Sequence, residues 1–208
     1  MSDSVTLITE HNKLYLYDHI TKLKINIDFI KLIKSKRGKN FKNEALIKAI
    51  GKFSADKIIH DLTAGLGRDS IIMALQGYQI IMFEQNQLIY QMLKAALAEL
   101  ANSEYQYIAD KITLKNQDSF SYCANLTYDR NNIFYLDPMF PERSKTAKVK
   151  KQLQLLQKIC PVEKNLEHLL NCVKTKGKTI LKRPRFATKL ALKEHHIIKG
   201  SKIDFYVY

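Results

Sequence analysis

The sequence predicts an α/β fold: a doubly wound, mostly parallel sheet with a C-terminal antiparallel hairpin and a small N-terminal β appendage. Two observations predict it. From Lys57 onward, short apolar runs alternate with helical stretches, the pattern of βαβ units whose sheet is covered on both faces. Ahead of them the apolar residues alternate with period two, so the chain opens with strands of a separate kind.

The elements follow in order. "VTLITEHNKLYLYDH" holds two alternating runs around the polar "EHNK" and reads as a β-hairpin, to which "KLKINIDF" adds a strand. Residues 1–40 are thus expected to form a β-rich appendage, and residues 41–208 the main domain. In "NEALIKAIGKF" the spacing of Ala45, Leu46, Ala49 and Ile50 is helical and stops at Gly51, which gives a linking helix. The core then reads as strand "KIIHDL", helix "RDSIIMALQ" ending at Gly77, strand "QIIMFE", helix "LIYQMLKAALAEL", and strands "KITLKN" and "NNIFYL". A basic amphipathic helix from about Thr146 to Lys158 and another near Glu163 to Val173 lead to strand "KTILKR". The terminal "HHIIKGSKIDFYVY" reads as two strands turning at Gly200-Ser201.

Composition narrows the function. A chain of 208 residues, 46% hydrophobic and 26% charged, can bury one sizeable core. The longest apolar runs, such as "IIMAL", fall far short of the roughly 20 residues of a membrane span. The N-terminus "MSDSVTLITE" lacks a basic and then apolar leader, so a cytoplasmic protein with no membrane partner is expected. Cys123, Cys160 and Cys172 show no C-x-x-C spacing, and the adjacent His195 and His196 would point to opposite faces of a strand, so no metal is expected. Lys and Arg number 34 against 20 Asp and Glu, a net charge of +14 that suits a polyanion such as nucleic acid. An AT-rich coding sequence would also raise the lysine content. The clustering in "KLIKSKRGKNFK", "RSKTAKVKK" and "KTKGKTILKRPR" favours the polyanion reading.

The chemical motifs sit at strand ends. In "DLTAGLGRDS", residues 61–70, Gly65 and Gly67 let the backbone turn sharply and approach a ligand. This G-x-G-x-x-S is less than the full dinucleotide fingerprint, and alone it is compatible with simple turn chemistry. Glu84, Asp118 and Asp137, however, follow three successive predicted strands, whose carboxyl ends share one crevice in an open α/β sheet. Glu84 stands where a carboxylate accepts from both ribose hydroxyls of an adenosine ligand. Asp137 opens "DPMFP", in which Pro138 and Pro141 stiffen the loop and limit its donors. Such an acceptor-rich mouth can hold both hydrogens of an exocyclic amine and help its lone pair leave ring conjugation to attack an electrophile. Phe140 offers that base a stacking face.

"DLTAGLGRDS", "FEQN", "YLDPMFPERSKTAKVKK", "LKRPRF" and "GSKIDFYVY", in this order, resemble the RsmJ family of S-adenosylmethionine-dependent methyltransferases. Members methylate the N2 amine of a guanine in bacterial small-subunit (16S) ribosomal RNA. The resemblance implies a Rossmann-like class I methyltransferase fold, S-adenosylmethionine as cofactor, and small-subunit rRNA or the small ribosomal subunit as partner. It places cofactor contacts on Arg68 and Asp69, Glu84 and Gln85, Asp118 and Ser119, and Asp137, beside the turn glycines Gly65 and Gly67. The chain departs from the family at Gln85, usually arginine, and at Asp118, usually a small hydroxyl residue. Asp137, Pro138 and Phe140 are the expected catalytic residues, with Asp137 orienting the amine or taking its proton. Lys145, Lys148, Lys150, Lys151, Lys182 and Arg183 are expected at RNA phosphates, from charge and location alone.

Two rivals share parts of this pattern. A nicotinamide-dependent dehydrogenase would use the glycine turn and Glu84 but has no use for an amine-gripping D-P-M-F-P loop. A non-catalytic RNA-binding or ribosome-assembly protein on a methyltransferase fold would bind RNA without transferring methyl groups.

Overall fold

The computed structural model describes residues 4–139, 151–160, 166–185, 187 and 190–208. The chain opens with β1 (Val5–Glu10) and β2 (Lys13–Asp18), paired antiparallel from Val5↔Asp18 to Glu10↔Lys13. His11 and Asn12 make the turn with φ of 49° and 60°, the doubly left-handed backbone whose twist matches a tight hairpin. The third strand, β3, is shorter than the alternation suggests and spans only Lys24–Ile25. Asp28 ends the extended run, because its side chain accepts from Lys31 N at 2.8 Å and starts a helix.

That helix, α1 (Phe29–Lys34), and the short α2 (Lys36–Lys39) occupy a stretch that reads in sequence only as a basic cluster. Ser35 joins them: its Oγ donates to Leu32 O at 2.6 Å and accepts from Gly38 N at 3.3 Å. Phe29 and Ile33 are buried, while Lys31, Lys34, Lys36 and Lys39 face solvent. The linking helix α3 (Ala45–Ile50) stops, as its spacing predicts, at Gly51, whose φ is 92°.

The main sheet contains β4 (Ile58–Asp61), β5 (Gln79–Phe83), β6 (Ile112–Lys115), β7 (Asn132–Leu136), β8 (Lys178–Pro184), β9 (His196–Lys199) and β10 (Ile203–Val207). Their order is β6-β5-β4-β7-β8-β10-β9, and only β10 runs antiparallel to its neighbours β8 and β9. The terminal hairpin is present, with a wider loop than a two-residue turn: Lys199 pairs with Asp204, and Gly200 N donates to Ile203 O at 3.0 Å. Between the strands lie α4 (Arg68–Leu75), α5 (Gln87–Ala101), α6 (Gln106–Ala109), α7 (Ser119–Ala124), α8 (Lys151–Ile159) and α9 (Leu166–Val173). Of the basic helix expected from Thr146, the part before Lys151 lies outside the described residues.

The strand order reverses at β4, which pairs with β5 on one side and β7 on the other. Such a switch point opens a crevice at the carboxyl ends of the strands, because the loops there diverge to opposite faces. One face of the sheet is covered by α4 and α5, with Ile71, Ile72, Met92 and Leu93 fully buried. Leu16, Ile25, Phe29 and Ile33 of the first 40 residues belong to this same apolar cluster, so the N-terminal segment packs into the core of the main sheet. The other face buries Phe134, Leu136 and Leu181 under Leu169, Leu170 and Val173 of α9.

The α1–α2 corner is tight. A Cβ on Gly38 would collide with the backbone carbonyl oxygens of Ile33 and Leu32. Gly38→Ala should therefore lower stability by roughly 1–3 kcal/mol, the range for overpacking a close contact. Denaturant unfolding of the variant against the wild type measures it.

Candidate active site

A cavity of about 400 Å³ opens at the carboxyl ends of β4, β5 and β7. Gly65 from the β4–α4 turn, Glu84 and Gln85 after β5, Asp118 and Ser119 at the start of α7, and Asp137 and Pro138 after β7 all line it. Glu84, Asp118 and Asp137, read from sequence as strand-end acids, thus face one space. Leu62, Phe83, Leu156 and Ile159 supply apolar walls. Leu156 and Ile159 come from α8, which Asn86 ties down by donating from Nδ2 to Ile159 O at 3.0 Å.

The glycine turn is built on backbone that other residues rarely adopt: Gly65 and Gly67 have φ of 53° and 67°. The two serve different ends. Around the position of a Gly65 Cβ only Thr63 O comes within 4 Å, at 3.8 Å, which leaves the turn bare toward the cavity. A Cβ on Gly67 would meet Leu93 and Met82 at 2.9 Å and Phe29 at 3.0 Å, so this glycine permits close packing beneath the turn.

Glu84 holds the turn in place. Its Oε2 accepts from Gly65 N at 3.1 Å and its Oε1 from Asn86 N at 2.8 Å. Burial nevertheless pushes the carboxyl up to about 7, and the backbone N–H groups only partly offset that. Asp118 has a second duty as the cap of α7, accepting from Ser121 N and Ser121 Oγ, both at 2.8 Å.

Beneath the cavity lies a charge network that sequence reasoning missed. Asp69, expected at the cofactor, turns inward: its Oδ1 accepts from Arg37 Nη2 at 2.6 Å, and its Oδ2 from Tyr135 Oη at 2.5 Å and Lys182 Nζ at 2.8 Å. Lys182 Nζ also donates to Asp137 Oδ2 at 2.6 Å. Burial disfavours the charge of Asp69, but Lys182 and Arg37 overcome it and hold the carboxyl well below the usual carboxylate range. Burial raises Asp137 above its ordinary value, with Lys182 opposing. Lys182 is lifted above the ordinary lysine value, because the two carboxylates outweigh its burial. Lys182 reaches Asp137 because β7 and β8 pair in register, Leu136 beside Leu181, so that Asp137 and Lys182 are the next residues, a pairing only the structure shows. No sequence pattern points to Arg37.

The remaining expected residues divide. Gly67, Arg68 and Asp69 do not line the cavity, and Arg68 is exposed. Lys182, expected at phosphates, is occupied by the two carboxylates, and Arg183 is only 4% exposed, with its guanidinium 5.4 Å from the centre of the Tyr206 ring. Strand pairing explains both, since β8 is an inner strand between β7 and β10. Phe140, Lys145, Lys148 and Lys150 lie outside the described residues, as does the side chain of Lys151. Among the described residues no group of three or more His, Cys, Asp and Glu could hold a metal ion, and no helix is long and apolar enough to cross a membrane.

Residues 1–208 match the family described as "Putative SAM-dependent methyltransferase". The chain belongs to this methyltransferase family. It is 31% identical to a protein of Acinetobacter baumannii named ribosomal RNA small subunit methyltransferase J, across 100% of this chain and 79% of that one. It is 37% identical to the protein of the same name from Francisella tularensis subsp. novicida, across 79% of this chain and 70% of that one. In fold it resembles the SAM-dependent methyltransferase NGO1261 from Neisseria gonorrhoeae, with a TM-score of 0.70 at 24% identity over 99% of this chain and 82% of that one.

The cofactor of this methyltransferase is S-adenosylmethionine, and the cavity suits it. Apolar walls, the buried Glu84 carboxyl and the bare Gly65 turn line one space, a mix of surfaces that fits a nucleoside-bearing ligand.

One group behind the site should report on pH. Asp61, buried at the end of β4, accepts from Ser70 Oγ at 2.5 Å and Thr63 N at 3.3 Å, and burial pushes its carboxyl up to about 7. Between its unfolded value of 3.8 and about 7 the folded state holds the proton and the unfolded state does not, so wild-type stability falls as pH rises through this window. Asp61→Asn removes that titration. The Tm of the variant minus that of the wild type should climb from pH 4 to pH 7 and level off above.

Proposed function

We propose that the protein transfers the methyl group of S-adenosylmethionine to the exocyclic N2 of a guanosine in bacterial small-subunit rRNA, in the cytoplasm. The similarity to proteins named ribosomal RNA small subunit methyltransferase J, at 31% and 37% identity over most of the chain, carries the substrate assignment. A net charge of +14 suits an RNA partner, whose phosphates reward lysine contacts. The exposed lysines of α1 and α2, Lys145, Lys148 and Lys150 ahead of α8 in sequence, and Lys151 at its start are the groups proposed to meet those phosphates.

The cofactor supplies a sulfonium methyl that is already electrophilic. What remains for the chain is alignment and charge. Asp137 is proposed to accept a hydrogen from the guanine amine through Oδ1, which takes no hydrogen bond from the described residues, while Oδ2 stays on Lys182. Pro138 keeps the loop free of a competing donor at that position. Phe140 is proposed to stack on the base. The amine becomes far more acidic once methylated, so the proton can leave late, and orientation is the main task of Asp137. Glu84 is proposed to accept from the ribose hydroxyls, with Gln85, Asp118 and Ser119 toward the adenine.

Two outcomes check this reading. Glu84→Ala should weaken S-adenosylmethionine binding by about 1–3 kcal/mol, the range for leaving polar partners unpaired, as calorimetry would measure. In cells, deleting the gene should remove one N2-methylguanosine from small-subunit rRNA by mass spectrometry. Restoring it with Asp137→Asn should return part of the modification and with Asp137→Ala almost none. An rRNA unchanged by deletion would leave RNA binding without methyl transfer.

A further inference from the structure

The quartet of Arg37, Asp69, Lys182 and Asp137 joins four elements that lie far apart in sequence: α2, α4, β8 and the end of β7. Its formal charges cancel, two cations against two carboxylates. The two carboxylates differ in what they have left to offer. Both oxygens of Asp69 are taken, and its side chain is 9% exposed. Asp137 has one oxygen on Lys182, its backbone N–H on Thr63 Oγ1 at 2.6 Å, and a side chain 36% exposed at the cavity.

We propose that Lys182 is a positioning residue for methyl transfer: it keeps the Asp137 carboxylate ionised and pins one of its oxygens, leaving the other for the amine, while Arg37 neutralises Asp69 behind it. The proposal rests on Asp137 being the amine acceptor.

The groups that act on Asp137 come from every side. Lys182 on β8 and Arg37 on α2 favour its charge, whereas Asp69 on α4 disfavours it. Asp61 on β4 and Tyr135 on β7 are also electrostatically coupled to Asp137. Without Lys182, Asp137 would lose its own cation and face Asp69, whose remaining partner Arg37 lies on the far oxygen, so the Asp137 carboxyl would take up a proton more readily. A protonated Asp137 would donate where it must accept, and methyl transfer would fail until higher pH restored the anion.

The test is the pH dependence of kcat for the full-length protein at saturating S-adenosylmethionine, with rRNA or small subunits from cells lacking the gene. Lys182→Met should move the acidic limb of the profile upward by about 1–3 pH units, the effect of removing a close opposite charge, with activity recovering at high pH. Lys182→Arg should keep the limb near its wild-type position. Asp69→Asn removes the like charge and should move the limb downward. A merely structural lysine would lower activity without shifts of opposite sign. Unshifted limbs in Lys182→Met and Asp69→Asn, or a Lys182→Met protein that binds cofactor but is inactive at every pH, would overturn the proposal. Should Lys182→Met fail to fold, the direction of the Asp69→Asn shift decides. Asp137→Ala separates the two readings: full activity there removes Asp137 as acceptor, whereas lost activity there with unshifted limbs in the other variants removes only the role of Lys182.

Discussion

The ammonium of Lys182, held between Asp69 at 2.8 Å and Asp137 at 2.6 Å, is the contact on which the arrangement of the site depends. Asp69 is buried and Asp137 is partly exposed at the cavity, and two carboxylates that share one ammonium would raise each other's affinity for a proton if that cation were absent. Lys182 serves both acids, and Arg37 adds a second cation on the far oxygen of Asp69. The constraint reaches outward from there. It ties β8 to the end of β7, anchors the first turn of α4, and draws α2 against the main sheet. Tyr135 completes the shell by donating its hydroxyl to Asp69 from within β7.

This network gives the N-terminal segment a purpose that its strands alone do not suggest. The apolar residues Leu16, Ile25, Phe29 and Ile33 bury it against the helices of the main sheet, and Arg37 then reaches a charge adjacent to the site. Lys158 on α8 is paired with the buried Asp18 of β2, so the helix that walls the cavity is held by the same segment. A glycine at position 38 lets α2 lie directly on the carbonyls of α1, which sets where Arg37 emerges. Packing of the first 40 residues and the geometry of the site are consequently one problem rather than two.

The cavity itself follows from topology. Parallel pairing of β4 with both β5 and β7 puts three loops at one end of the sheet, and the left-handed glycines at 65 and 67 fold the first of them back so that Glu84 can bind its backbone. The result is a space lined by both acceptors and apolar side chains, which matches a cofactor that is a nucleoside with a charged tail.

The amino-acid sequence by itself determined the α/β class, all seven strands of the main sheet, the glycine turn, and the strand-end acids Glu84, Asp118 and Asp137 that line the cavity. These were legible because they rest on local chemistry: apolar runs of strand length, glycines where φ must be positive, and the rule that strand ends gather at a switch point. Tertiary structure alone decided the rest. It made helices of the basic stretch around Ser35, cut β3 short at the Asp28 cap, turned Asp69 inward, buried Arg183 in the middle of the sheet and set Lys182 between two carboxylates. Periodicity reports which residues share a face. It does not report which distant face will meet them, and burial and charge pairing between residues as far apart as Arg37, Asp69 and Lys182 are settled only when strand register and helix packing bring them together.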